Sequence, residues 1–180
     1  MTHILALALV LHVHNLAAAP ASVVHDAQDE VVRLYDAIGV HVDTTDRPYV
    51  DDAAAVDVVL VPDATGGLRQ AREAVMGATV WTLQGTPIIY VFYRRVQIES
   101  ARYAASAVLV LACTLAHELG HVLLPDRGHA PDGLMRAAWG RDDLQRAAQG
   151  QLRFLPADAA RIRARLEPSI EHERGDRTRQ

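Results

Sequence analysis

The stretch His117-Glu118-Leu119-Gly120-His121-Val122-Leu123-Leu124-Pro125-Asp126-Arg127-Gly128-His129, with Met135 six residues further on, decides the reading of this chain. On a helix, positions four apart differ by about 40° in azimuth. His117 and His121 therefore project from one face, one turn apart, and both imidazoles can reach the same ion. Glu118 stands about 100° round the helix. That is too far for a natural third ligand, but a carboxylate there can reach water on the metal and act as general base. A third ligand must come from outside the helix, which Pro125 ends because proline cannot donate to the backbone ladder and disfavours helix at the residue before it. Asp126, Arg127 and Gly128 read as a turn. The chain from Leu124 to His129 can span up to roughly 17 Å, ample to double back. Three protein ligands and one open position is the catalytic arrangement of zinc.

The competing reading is an ordinary helix whose histidines face solvent or sit satisfied in a core. A third histidine and a glycine-methionine turn at suitable distance argue against it. Arg127 cannot be the third ligand, because its guanidinium stays protonated and offers no lone pair. Asp126 is chemically able but follows Pro125 directly, with little chain for turning back. His129 follows Gly128, which can take a positive φ if the reversal needs one. Gly120 costs its helix about 1 kcal/mol relative to alanine, which points to a close approach by another segment.

With these residues the chain resembles the metzincin clan of zinc peptidases, whose pattern is H-E-x-x-H-x-x-G-x-x-H followed by a methionine-containing turn. His117, Glu118 and His121 match its first part, and Asp132-Gly133-Leu134-Met135 is similar to the Met-turn. The chain departs from the pattern in two places. Leu124 occupies the glycine slot and Arg127 the third-histidine slot, so His129 implies a two-residue insertion. The run from His117 to Trp139 also resembles short bacterial proteins with this lengthened spacing. The likeness implies an α/β (α+β) metzincin-like zincin domain: a twisted mixed sheet with flanking helices, an active-site helix, and a small, mostly helical C-terminal part. One catalytic Zn2+ would be held by His117, His121 and His129, with Met135 packed beneath it and Glu118 as base. Some members carry a tyrosine soon after the Met-turn; here Arg136-Ala137-Ala138-Trp139 follows, which names no second oxyanion donor.

The length, 180 residues, suits one domain with a real core, expected over 1–170, with a charged, disordered tail at 171–180. A formal net charge of -4 gives no electrostatic case for nucleic acid or an anionic membrane surface. The single Cys113 excludes an intramolecular disulfide and a cysteine-rich zinc knuckle. It lies one turn before His117, where a thiolate could approach the metal, but an inert buried thiol is the better reading.

The N-terminus admits two readings. Ile4 to Val13 is apolar, and Ala17-Ala18-Ala19-Pro20-Ala21 has the small residues of a cleavage site, so residues 1–21 could be a signal peptide and the protein secreted or periplasmic. Without one the protein would be cytoplasmic. No Lys or Arg precedes the run, and His12 and His14 alternate with Leu11 and Val13, which favours a strand over 7–14.

Further along, apolar spacing predicts a helix over 22–38, stopped by Gly39. A short strand is expected at Val40-His41-Val42, and a loop over 43–52. Val56 to Val61 reads as a strand buried on both faces. A short helix is expected over 68–75, and a strand over 79–83 that turns through Gln84-Gly85-Thr86-Pro87. Ile88 to Val96 is rich in β-formers. It is expected to be the edge strand beside the cleft that pairs with an extended peptide, as the resemblance also implies. One long helix is expected over 99–124, and further helices over 142–149 and 157–166. The apolar run 104–116 is too short to span a membrane, which needs about 20 residues.

The resulting expectation is a zinc metallopeptidase, an endopeptidase acting on a peptide or protein substrate as a monomer, with no nucleic-acid partner and no membrane span. Glu118 would take a proton from zinc-activated water and pass it to the leaving amine. Two alternatives remain: a zinc-binding module on the same fold without peptidase activity, and a peptidase dedicated to one partner.

Overall fold

A computed structural model describes residues 9–45, 55–70, 75–124, 126 and 128–166. Among the described residues, five strands form one sheet in the order β2-β1-β3-β5-β4. They are β1 (Leu9–Asn15), β2 (Val42–Thr45), β3 (Ala55–Val61), β4 (Gly77–Trp81) and β5 (Pro87–Phe92). All pairings are parallel except β4 with β5, which form an antiparallel hairpin closed by Gly85 at φ +83°. The α-helices among the described residues are, in chain order, α1 (Ala21–Asp36), α2 (Tyr93–Tyr103), α3 (Ala107–Leu123), α4 (Arg141–Ala148) and α5 (Pro156–Leu166). The chain is thus mixed α/β in the α+β sense, with a mixed sheet as the sequence implies.

One face of the sheet carries the core. Leu11, Val13, Val56, Val58, Leu60, Ile89 and Val91 alternate along their strands and are buried. Helices α1 and α3 pack together over the core this face builds. Tyr35 locks the pair: its hydroxyl donates to the carbonyl of Ala116 at 2.9 Å, and its ring lies 5.0 Å from that of Phe154. Helix α3 is apolar nearly all round, as an internal helix must be, and is buried continuously from Val110 to Gly120. That burial carries the metal-motif residues into the body of the protein.

Several expectations are corrected. Ile88 to Val96 is not an edge strand. β5 ends at Phe92 and is paired on both sides, with β3 and β4, so the edge beside the site is β4. The β-branched and aromatic residues of this run mark an interior strand, because that is where such side chains bury best. Tyr93 to Val96 already belong to α2. The helix expected over 99–124 is broken: α2 stops at Ala104, which is left-handed at φ 51°, and α3 restarts after Ser106. Ser100 stabilises the break by donating its hydroxyl to the Ala105 carbonyl. Alanine is a poor residue for that conformation, so composition does not announce the break. β3 is fully buried on one face only; Ala55, Asp57, Val59 and Val61 on the other are half-buried. The second strand begins at Val42 and runs through Asp43 to Thr45, so it takes residues assigned above to a loop. In the 68–75 region a 3-10 turn covers Gly66–Gln70, and 71–74 lie outside the described residues. So do residues 1–8, the rest of the 43–52 loop, Pro125, Arg127 and the 171–180 tail. Residues 9–15 form a central strand of the sheet, as the alternation of His12 and His14 indicates.

Candidate metal centre

Helix α3 presents His117 and His121 one turn apart, and the chain beyond it returns to bring His129 against them. Ligand-competent atoms of the three histidines lie within 4.8 Å of one another, close enough to bind a metal ion. The ring centroids of His117 and His129 are 5.3 Å apart, and those of His121 and His129 are 4.8 Å apart. The return is built by backbone hydrogen bonds. Ala130 N–H donates to the Met135 carbonyl at 2.8 Å, and Leu134 N–H to the Arg153 carbonyl at 2.8 Å. Gly133 turns the loop at φ +73°; a Cβ there would stand 2.7 Å from the Arg153 carbonyl oxygen, so no other residue fits. The role expected of Gly128 involves Arg127, which lies outside the described residues.

The donor set suits a cation. His117 Nδ1 lies 2.8 Å from the Leu134 carbonyl oxygen. A carbonyl only accepts, so Nδ1 carries the proton and Nε2 keeps its lone pair for an ion. Burial pushes the His117 pKa down to about 4, against the opposing pull of that carbonyl, so the ring is neutral at neutral pH. His121 Nε2 faces His117 Nε2 at 3.0 Å. Ligand atoms bonded to a tetrahedral ion at about 2.0–2.1 Å stand roughly 3.4 Å apart, close to this spacing. Cys113 is not part of the group; it is buried within α3, and burial pushes its thiol up to about 12.

Glu118 lies beside the triad and is itself buried. Burial raises its pKa to about 7, although hydrogen bonds from Thr79 oppose the shift. Asp126, the rival third ligand, is exposed and engaged by Arg161 at 2.8 Å, which holds its carboxyl below the usual range.

Met135 is buried under α3, where Gly120 admits it. A Cβ at Gly120 would lie 2.4 Å from Met135 Sδ and 3.3 Å from the Phe154 ring. This is the close approach that a helical glycine at this position signals. Gly120→Ala is therefore expected to destabilise the protein by up to about 2 kcal/mol, an overpacking strain of about 1–3 kcal/mol offset by a helix-propensity gain of about 1 kcal/mol. Chemical denaturation of the metal-free protein measures it; an unchanged or raised midpoint would contradict this packing.

The Met135 loop is held from outside by charge. Asp143 accepts from Arg136 at 2.8 Å, Arg146 at 2.6 Å and the Gly140 N–H at 2.9 Å. Burial works against ionising Asp143, but these three donors keep its pKa below the usual carboxylate range. Arg146 also reaches Asp132 at 2.7 Å, so α4 is tied to the loop at both ends.

A cavity of about 490 Å³ opens at the triad, between the edge strand β4 and the segment 136–139. Two of its contributors were not marked by the motif. Thr79 and Gly77, both on β4, contact Glu118 directly. A glycine at a strand position is the one sequence signal available, since it often marks a close approach.

No protein-family model matches the chain, and no curated protein matches it significantly.

Proposed function

We propose that the protein is a metzincin-like zinc metallopeptidase that cleaves peptide bonds. The observation that carries this reading is the convergence of His117, His121 and His129 on one point beside the buried carboxylate of Glu118, at the head of an open cleft. All three offer an imidazole nitrogen, the donor type that suits zinc, and no fourth protein ligand joins them among the described residues. A zinc ion held there would supply Lewis acidity, polarising a substrate carbonyl and stabilising the developing negative charge.

The protein's own groups do the rest. Glu118 accepts a proton from the attacking water at a carboxylate oxygen and delivers it to the leaving amine nitrogen. Burial, which raises the pKa of this carboxyl, makes it the readier proton acceptor. Among the described residues β4 is the terminal strand of the sheet, so an extended peptide can add beside it as a further strand. The cleft wall offers Met76, Tyr103, Ala137, Ala138 and Trp139, while the charges of Arg102 and Arg136 are already met by Glu99 and Asp143. A large apolar side chain next to the scissile bond is the best match to that lining.

The test is metal analysis of purified protein together with cleavage of a mixed peptide library. The expected result is one zinc per chain, and cleavage beside large apolar residues that a chelator abolishes and zinc restores. Protein that takes up no zinc would remove the reading altogether. One zinc without any cleavage would leave a binding module.

A further inference from the structure

The edge strand β4 does more than border the cleft. Gly77 and Thr79 are two residues apart, so they share the face of the sheet that looks toward α3. Thr79 Oγ1 lies 2.8 Å from Glu118 Oε2 and 3.1 Å from the Glu118 carbonyl oxygen. At Gly77 a Cβ would stand 2.8 Å from Glu118 Cγ and 2.9 Å from Oε1, so only a glycine leaves room for the carboxylate as it lies. We propose that β4 sets the position of Glu118: Thr79 is a positioning residue that fixes the carboxylate by hydrogen bond, and Gly77 supplies the space it occupies. This deepens the peptidase reading and rests on it for the role of Glu118.

A glutamate has three rotatable bonds, and holding it in one rotamer opposes its conformational entropy. Threonine is well suited to hold it, because a β-branched side chain has restricted χ1 freedom and the strand fixes its backbone. The same strand is the last of the sheet among the described residues and lines the cleft that a peptide would enter. The substrate's register and the base's position would then be set by one rigid element, which keeps small the misplacement to which proton transfer is sensitive.

Thr79→Val removes the hydroxyl and keeps the shape. Steady-state kinetics on a library-derived peptide should show kcat lowered by about 10- to 100-fold, the cost of a misplaced catalytic group. KM and zinc affinity should stay within about twofold of wild type, and Thr79→Ser should restore most of kcat. A crystal structure of the Val variant should show the Glu118 carboxylate displaced from its place beside β4. Gly77→Ala should lower kcat in the same way and serves if the Val variant does not fold. Wild-type kcat in either variant, or a carboxylate that stays in place without the hydroxyl, would overturn the proposal. If the wild-type protein binds zinc but cleaves nothing, the peptidase reading fails by itself, and the carboxylate position in the variant structure still decides whether Thr79 holds Glu118.

Discussion

Glu118→Ala is expected to lower kcat by about 10²- to 10⁴-fold, the range that a positioned general acid–base contributes. The variant should still fold and still take up one zinc. The separation of effects follows from geometry. Glu118 is the neighbour of a ligand in sequence but points toward Thr79 on β4, and it is not part of the histidine group. Removing it leaves His117, His121 and His129 intact, together with the Leu134 carbonyl that orients His117. Loss of the buried carboxylate also removes a desolvation cost, so stability should be unchanged or slightly higher. Peptide cleavage and zinc content measured on the same preparation check it. Cleavage at the wild-type rate would mean that another group moves the proton; loss of zinc in step with activity would make Glu118 a ligand.

The second large effect concerns His129. His129→Ala should weaken zinc binding by orders of magnitude, because it leaves two protein ligands where catalytic sites use three. Asp126→Ala should leave the affinity nearly unchanged. His129 is brought within 4.8 Å of the other two histidines by the loop that Ala130 and Met135 close, whereas Asp126 is turned outward onto Arg161. The Asp126 variant loses an exposed ion pair, typically worth little. Titration of each apoprotein against a metal-competing indicator gives the ranking. The reverse order would move the third ligand to Asp126 and weaken the likeness to the metzincin pattern, which places a histidine after the helix.

How much of this was readable in advance varies along the chain. The strand at Val56–Val61, the helix before Gly39 and the final two helices follow from local periodicity, since apolar spacing and a stop residue act over a few neighbours. The hairpin at Gln84-Gly85-Thr86-Pro87 is also local chemistry, and Gly85 adopts the positive φ that such a turn requires. The break between α2 and α3 is not local in that sense. Ala101 to Ala107 is helix-favouring by composition, yet the chain leaves the helix at Ala104 and restarts it after Ser106.

The chemistry on offer is written in the residues themselves: two histidines and a carboxylate on one helix, a third histidine past a proline, and a glycine and a methionine at the distances that let them meet. Those are matters of side-chain identity and helical repeat, which hold wherever the helix is placed. Which strand lies against the site is settled by long-range packing instead. Strand order depends on crossovers between segments far apart in the chain, so β-rich composition led to Ile88–Val96, whereas the sheet puts that segment inside and Gly77–Trp81 at its edge. The hydrogen bond from Thr79 to Glu118 joins residues 39 positions apart, and no local rule connects them. It exists because β4 closes the sheet beside α3 and offers its inward side chains to the buried carboxylate.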